Sequence, residues 1–499
     1  MIDLFSTPSL ITIVLGSVAL FIPVMDALNK EKGSKNKVYS AISFGALALC
    51  LVIVISRVLF GETIPALSFA RNGVITDDVF GAFFSVAFII VSIMVTVSSW
   101  SYMKKKSNHA AYYSLILLSS IGMILIGYST DFVMLLVSWE LMSIPTYALA
   151  AFSKRDPISN ESAIKYFLFG ALSTSIIILA MGIVYGLTGT TNIYDSIISM
   201  SNLKTELMPF ALLSVGLFIA GFGFKMGLVP FHMWLPDTYS GSPTTVATLL
   251  AAATKKAGFA AAIRIIIIGL VALNVHWSFV LAIIAVFTMT AGNLGALTQK
   301  SVPRMLAYSS LAQAGYILIG LAVAPFAAAG IAASLFHILN HAVMISAAFI
   351  AAAAVIIVIT GYNIEKFKGL GYRMPITAIA MTIALLALAG IPPLNGFWSK
   401  LLLFGSAIDS GHQVWWGPYL AIAGVLNSGL SLGYYIWIIR KMYMEDGENR
   451  IRQKEPKPFI AVLIFAIGFM VIFGIWYGPI LHFATMASPS DITQLMHIK

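Results

Sequence analysis

Residues 222–234 read FGFKMGLVPFHMW, and this short run decides what kind of molecule the chain builds. Lys225 sits within an otherwise apolar stretch, Leu212–Leu228, and Pro230 follows five residues later. A lysine in the middle of a bilayer costs a few kcal/mol, so an ionisable group at that depth marks a functional site by default. Glu140, Lys255, Lys256 and Lys400 occupy comparable places in other apolar stretches. The five residues together locate the function.

Working outward, the whole chain supports a membrane reading. It has 499 residues, 59% of them hydrophobic and 10% charged, with a mean hydropathy of +0.92. A soluble core does not need so much apolar sequence, whereas a bundle of membrane helices does. The net charge of +10 is spread over short loops, which argues against a nucleic-acid partner. Cys50 is the only cysteine, which excludes a disulfide framework and any multi-cysteine zinc or iron–sulfur site built from this chain alone. No glycine fingerprint for a dinucleotide and no phosphate loop occurs, and no stretch is left over for a soluble catalytic domain. The N-terminal run is apolar for about 20 residues with its basic cluster behind it, the reverse of a secretory signal, so it is expected to stay as a first span.

Spans of about 20 residues fit about fourteen helices, beginning near residues 8, 38, 77, 110, 130, 160, 208, 243, 276, 304, 327, 374, 414 and 458. Loops after spans 1, 3, 5, 9, 11 and 13 hold 20 of the 30 Lys and Arg, and the opposite side holds only Arg57, Arg71, Lys204 and Lys499. The positive-inside rule then predicts both termini on the outer side of the cell membrane. Gly227-Leu-Val-Pro230 interrupts span 7 and Gly390-Ile-Pro-Pro393 interrupts span 12, because proline removes a backbone donor and clashes with the preceding turn. The interruptions lie 163 residues and five spans apart. Five is odd, so a second copy lies upside down relative to the first, as in transporters built from inverted repeats. The expected architecture is an all-α polytopic membrane protein. It comprises helices 1–3 over 1–109, a first five-helix repeat over 110–272, an inverted second repeat over 273–442, and a loop with helix 14 over 443–499.

Glu140 lies near the middle of span 5 in LLVSWELMSIP. It is either a carboxyl neutralised by burial or the partner that faces Lys225. A lysine buried alone gives up its proton more readily, and a nearby carboxylate holds the proton on, so such a pair makes a pump element. Lys255 and Lys256 are neighbours and point about 100° apart on a helix. One is therefore expected to face the bundle interior, while the other snorkels or pairs. Lys400 follows the second break in GFWSKLLLF. His232, His337 and His341 fall in or beside spans and titrate near neutral pH, which suits proton wiring as well as helix packing. His337 and His341 share a helix face at i, i+4, yet no acidic third ligand accompanies them and HExxH is absent, so no metal is expected. Asp131, Asp237 and Lys165 sit near span ends, as entry groups or simply solvated.

Several long runs resemble one family. SWELMSIPTYALAAF, AIKYFLFGALSTSIIILAMGIVYGLTGT, FKMGLVPFHMWLPDTYSGSPTTVATLLAAATKKAGFAA, AGNLGALTQKSVPRMLAYSSLAQAGYILIGL and LALAGIPPLNGFWSKLLLF occur in that order over roughly residues 110–410. They resemble the antiporter-like membrane subunits of respiratory complex I, the N type most closely. By motif, the family's midplane proton route falls on Glu140, Lys225, Lys255 and Lys400, which selects Lys255 over Lys256. L- and M-type relatives carry a lysine where NHAVMI has Ile345, which leaves the link between Lys255 and Lys400 to histidines, polar groups or water.

The resemblance implies a proton-translocating subunit of an oxidoreductase, with no cofactor on this chain. Flavin or deazaflavin, iron–sulfur clusters and a quinone or methanophenazine would belong to partner subunits. The implied partners are other antiporter-like and small membrane subunits, indirectly a hydrophilic redox arm, and the lipid bilayer. Electrons would come from NADH or a reduced deazaflavin. The alternatives are a subunit of a multisubunit sodium/proton antiporter or of a membrane-bound hydrogenase, and a scaffold whose lysines are vestigial.

Overall fold

A computed structural model describes residues 6–28, 35–60, 73–267, 277–447 and 451–488. Lys30, Lys32, Arg71, Arg450 and Lys499, counted above for orientation, lie outside them. Among the described residues 13 helices are long and apolar enough to cross a membrane, and Pro375–Ala389 is a shorter apolar helix. The chain runs α1 (Thr7–Leu28), α2 (Asn36–Phe60), α3 (Val79–Tyr102), α4 (His109–Tyr128), α5 (Phe132–Ala150), α6 (Pro157–Thr188), the short α7 (Ile193–Ser201), α8 (Met208–Met226) and α9 (Trp234–Gly241). It continues with α10 (Thr244–Ile265). Then come α11 (Trp277–Leu297), α12 (Val302–Val323), α13 (Ala329–Ile359), α14 (Pro375–Ala389), α15 (Asn395–Asp409), α16 (Gly417–Met444), α17 (Lys457–Ile475) and the short α18 (Gly478–Ala487).

Both expected interruptions are present, and they share one geometry. Gly227 ends α8 at φ +68° and Gly390 ends α14 at φ +89°, conformations only glycine adopts without strain. After the first break the amide of Leu228 donates to the Gly223 carbonyl, and after the second Ile391 donates to Leu386. Each closes the helix end with the six-to-one bond of a Schellman motif. The chain then restarts as α9 and α15.

Carboxylates and amides at other span ends are caps. Asp131 accepts from the amides of Val133 and Met134 at the start of α5 and from Thr191 Oγ1, so its place at the span edge has a local structural reason. Asp156 caps α6 in the same way.

Burial sorts the helices. α13 packs on α3, α10, α12, α14, α15, α17 and α18, and its Gly330–Val355 segment is buried on every face. α10 is likewise fully enclosed. A helix apolar all round belongs in the centre of a large bundle. α1, α2, α6, α16 and α17 expose broad apolar stripes, such as Leu20 and Phe21 or Phe167 and Leu168. In a bilayer those faces meet lipid or a neighbouring subunit. The turns after α3, α5, α9 and α13 gather around one surface cavity of about 950 Å³ lined by Lys106, Lys154, Arg155, Thr244 and Tyr362. That places them on one side, as the alternating loop charges require.

Candidate buried relay

Lys225, the penultimate residue of α8, is almost completely buried. Its ammonium donates to Tyr166 Oη at 2.8 Å and to Ser143 Oγ at 3.2 Å. The same nitrogen lies 4.9, 5.6 and 5.9 Å from the ring centres of Tyr166, Tyr147 and Trp139. Hydroxyls and aromatic faces therefore solvate the charge where water cannot. Glu140 is not in ion-pair contact with it. Glu140 accepts from Thr174 Oγ1 at 2.8 Å and lies half-buried on α5, in line with the exposed Val133, Val137 and Ile144. The expected face-to-face pair is thus replaced by a relation through one turn of α5, with Ser143 holding the lysine.

Lys255 and Lys256 are both fully enclosed, which corrects the expectation that only one would face the interior and, of the two alternatives for the other, rules out snorkelling. Lys255 donates to the Ser310 carbonyl at 2.7 Å. Lys256 donates to the Ala251 carbonyl at 2.7 Å, five residues back on its own helix. That carbonyl belongs to a π-helical turn, Leu250–Thr254, directly before the two lysines. Such turns loosen the ordinary ladder and concentrate at functional sites. An all-round buried helix can carry two adjacent lysines because each finds a carbonyl.

Lys400 donates to the Ala389 carbonyl at 3.0 Å and to Ser428 Oγ at 2.9 Å, with its nitrogen 4.6 Å from the Tyr316 ring centre. The end of α14 explains this. A helix leaves its last four carbonyls without intrahelical partners. Here Leu386 and Ala387 are met by the backbone of the break, Leu388 by the Gln313 amide, and Ala389 by Lys400 and Ser428. The break itself creates the acceptor for the buried lysine.

His337 bonds Ser399 Oγ at 2.9 Å through Nδ1 and Gln313 Oε1 at 3.0 Å through Nε2. His341 stacks on it at 5.9 Å, and both its ring nitrogens are buried without a partner. His232, in the first break, is half-buried with Nδ1 unpartnered. Among the described residues no group of three His, Cys, Asp or Glu could hold a metal.

One pattern ties these groups together. On α12, Ser310, Gln313 and Tyr316 recur every three residues and meet Lys255, His337 and Lys400 in turn. On α5, Glu140, Ser143 and Thr146 recur at the same spacing, and Ser143 and Thr146 reach Lys225 and Tyr166. Each α12 residue stands 170 positions after its α5 counterpart. Residues three apart share a helix face, so α5 and α12 each present a polar edge to buried lysines. Gln313 and Ser310 were missed at the sequence level; their spacing after SWELMSIPT was the available signal.

Two carboxylates off this line are also ion-paired. Asp78 and Arg264, both fully buried, bond at 2.8 and 2.9 Å, and Arg264 Nε also donates to the Gly127 carbonyl. They lock the start of α3 to the ends of α4 and α10. Asp237, after the first break, bonds Lys165 at 2.8 Å and Arg304 at 2.9 Å, joining α6 to α12. Neither Asp237 nor Lys165 is merely solvated.

Residues 129–431 match the family model described as NADH:quinone oxidoreductase/Mrp antiporter, transmembrane. The F(420)H(2) dehydrogenase subunit N of Methanosarcina mazei is 39% identical, over 97% of this chain and 98% of that one. The NADH-quinone oxidoreductase subunit N of Heliobacterium modesticaldum is 36% identical over 97% and 98%. A chain of respiratory complex I from Thermus thermophilus superposes with a TM-score of 0.77 at 26% identity, covering 95% of this chain and 98% of that chain.

Proposed function

The chain belongs to the membrane family of NADH:quinone oxidoreductases and Mrp antiporters, and from that premise we propose how its buried groups work. It is a proton-translocating membrane subunit of a complex I-type oxidoreductase, and it performs no redox chemistry itself. Protons pass along Glu140, Lys225, Lys255 and Lys400, with His341 leading from Lys255, His337 exchanging protons at the Lys400 end and His232 serving the first break.

The observation that carries this reading is the solvation of the three lysines. Each ammonium is buried, yet each is matched by hydroxyls, carbonyls or aromatic faces held by α5, α6, α12, α14 or α16. Such partners tolerate both protonation states, whereas a direct carboxylate partner would pin the charge. Glu140, one turn from Ser143 and half-buried on the outer stripe of α5, receives protons from the neighbouring side and sets the field at Lys225. Moving a charge against 100 mV costs about 2.3 kcal/mol, and several stations divide that work.

The electrons move in partner subunits, from NADH or a reduced deazaflavin to a quinone or methanophenazine, through flavin or deazaflavin and iron–sulfur centres held there. The partners are other antiporter-like and small membrane subunits, with a hydrophilic arm beyond them. The protein sits in the cell membrane with both termini outside. Residues 110–272 and 273–442 act as the two inverted repeats.

Replacing Lys225 with Met tests the reading. In membrane vesicles of the assembled complex, protons translocated per electron pair should fall severalfold. An unchanged ratio would sink the relay.

A further inference from the structure

Gln313 lies between two acceptors that dictate which way its amide points. Its Nε2 donates to the Leu388 carbonyl at 3.0 Å. That carbonyl is one of the four that the end of α14 leaves open, so the break imposes the donor on Gln313. The amide oxygen is therefore the atom facing His337 Nε2 at 3.0 Å. A carbonyl oxygen only accepts, so Nε2 must carry hydrogen.

The other nitrogen has a different neighbour. Nδ1 lies 2.9 Å from Ser399 Oγ, and that hydroxyl also lies 3.0 Å from the Gly396 carbonyl. With Nδ1 bare, the Ser399 hydroxyl donates to it. When Nδ1 takes up a proton, its N–H donates to Ser399 Oγ and the hydroxyl hydrogen turns to Gly396. Both protonation states are fully bonded, and no heavy atom moves. With the opposite tautomer, a bare Nε2 would face the Gln313 oxygen as two acceptors at 3.0 Å.

We propose that Gln313 is a positioning residue for proton transfer: it holds the hydrogen on His337 Nε2, so uptake and release occur only at Nδ1, against Ser399. Ser399 immediately precedes Lys400, so the active nitrogen opens toward the Lys400 end of the relay. The Nε2 side is closed to traffic. The inference rests on the relay reading of His337. It goes beyond that reading by assigning a direction to the ring and a task to an uncharged residue.

The test uses the assembled complex in membranes with imidazole-¹⁵N-labelled histidine. The His337 signals are identified by their loss in His337→Gln and read by solid-state NMR. The expected result is a neutral imidazole with the Nε2–H form in about tenfold excess, the ratio set by one satisfied against one repelled hydrogen bond. In Gln313→Met that excess should disappear, and protons per electron pair should fall severalfold. A dominant Nδ1–H form in the unsubstituted complex overturns the proposal, and so does an unchanged excess in Gln313→Met. The unsubstituted spectrum needs no variant, so the proposal stays testable even if Gln313→Met fails to assemble. Unchanged pumping in His337→Gln, with the Nε2–H form dominant in the unsubstituted complex, would remove His337 from the relay and overturn the proton-transfer role of Gln313, leaving only the tautomer that it holds.

Discussion

The Lys225 ammonium meets α5 at Ser143, one helical turn beyond Glu140, and Glu140 turns instead to Thr174 on α6. Glu140 and the lysine's partner Ser143 thus stand one turn apart on α5, and Glu140 and Lys225 share no hydrogen bond. The immediate environment of the lysine is hydroxyl and aromatic, and the hydroxyls are where it is most open to perturbation.

Tyr166 and Ser143 should therefore rank in a fixed order. Hydrogen bonds to charged groups contribute about 1.5–3 kcal/mol each, and the Tyr166 bond is the shorter of the two. Tyr166→Phe is expected to slow coupled proton translocation more than Ser143→Ala. The check is proton uptake by vesicles at matched electron flux. A larger effect from Ser143→Ala would contradict the geometry.

The glycines of the two breaks should be irreplaceable. An alanine pays about 1–2 kcal/mol for the left-handed conformation alone. Its Cβ would also come within 2.5 Å of Leu235 Cδ1 at Gly227, and within 2.9 Å of Lys400 Cδ at Gly390. Gly227→Ala and Gly390→Ala should each lower the melting temperature and the yield of assembled complex. Gly182→Ala, on α6 with open space around it, should change neither.

The Asp78–Arg264 pair tests the cost of a buried charge. Removing one partner of such a pair typically costs 3–5 kcal/mol, because the other is left uncompensated. Arg264→Met alone should sharply reduce folded protein, measured by thermal unfolding in detergent. Adding Asp78→Asn to Arg264→Met should recover part of the loss. If the double variant is the less stable, burial of the charge is not the controlling term.

The turn between α13 and α14 carries a pH dependence. Lys368 and Lys441 hydrogen-bond Glu365 and hold its carboxyl down to about 2, and Lys441 and Lys368 depress Glu445 as well. A depressed carboxylate stabilises the fold above its unfolded value, and that contribution is lost as pH falls through the folded value. For Glu365 the window runs from about 4.5 down to about 2. Amide hydrogen exchange over residues 364–368, corrected for its intrinsic pH dependence, should accelerate across that window. In Glu365→Gln the acceleration should be absent. Flat protection in the unsubstituted protein would count against the ion-pair cluster.

Much of this molecule was legible in the chain. The apolar run around Lys225, the GLVP and GIPP breaks, and the alternation of basic loops each reflect a local rule, so fourteen spans and two interrupted helices could be written down directly. The partners of the lysines could not. Glu140 and Lys225 are 85 positions apart, and whether they touch depends on how α5 rotates against α8. One of Lys255 and Lys256 was expected to snorkel or pair because adjacent residues point about 100° apart on a helix. The π-helical turn before them supplies the Ala251 carbonyl, and no propensity rule signals such a turn. Gln313 went unnoticed because an uncharged amide in an apolar helix carries no anomaly until its neighbours are known.

By itself the sequence determined that this protein lies in a membrane, where its helices break and which apolar stretches carry a charge, because hydrophobicity, proline and glycine act within a few residues of themselves. Tertiary structure decided what each charge bonds to. Hydrogen bonds between helices depend on rotation and register set by the whole packed bundle, and only there do the open carbonyls of α14 meet Lys400 and the amide of Gln313.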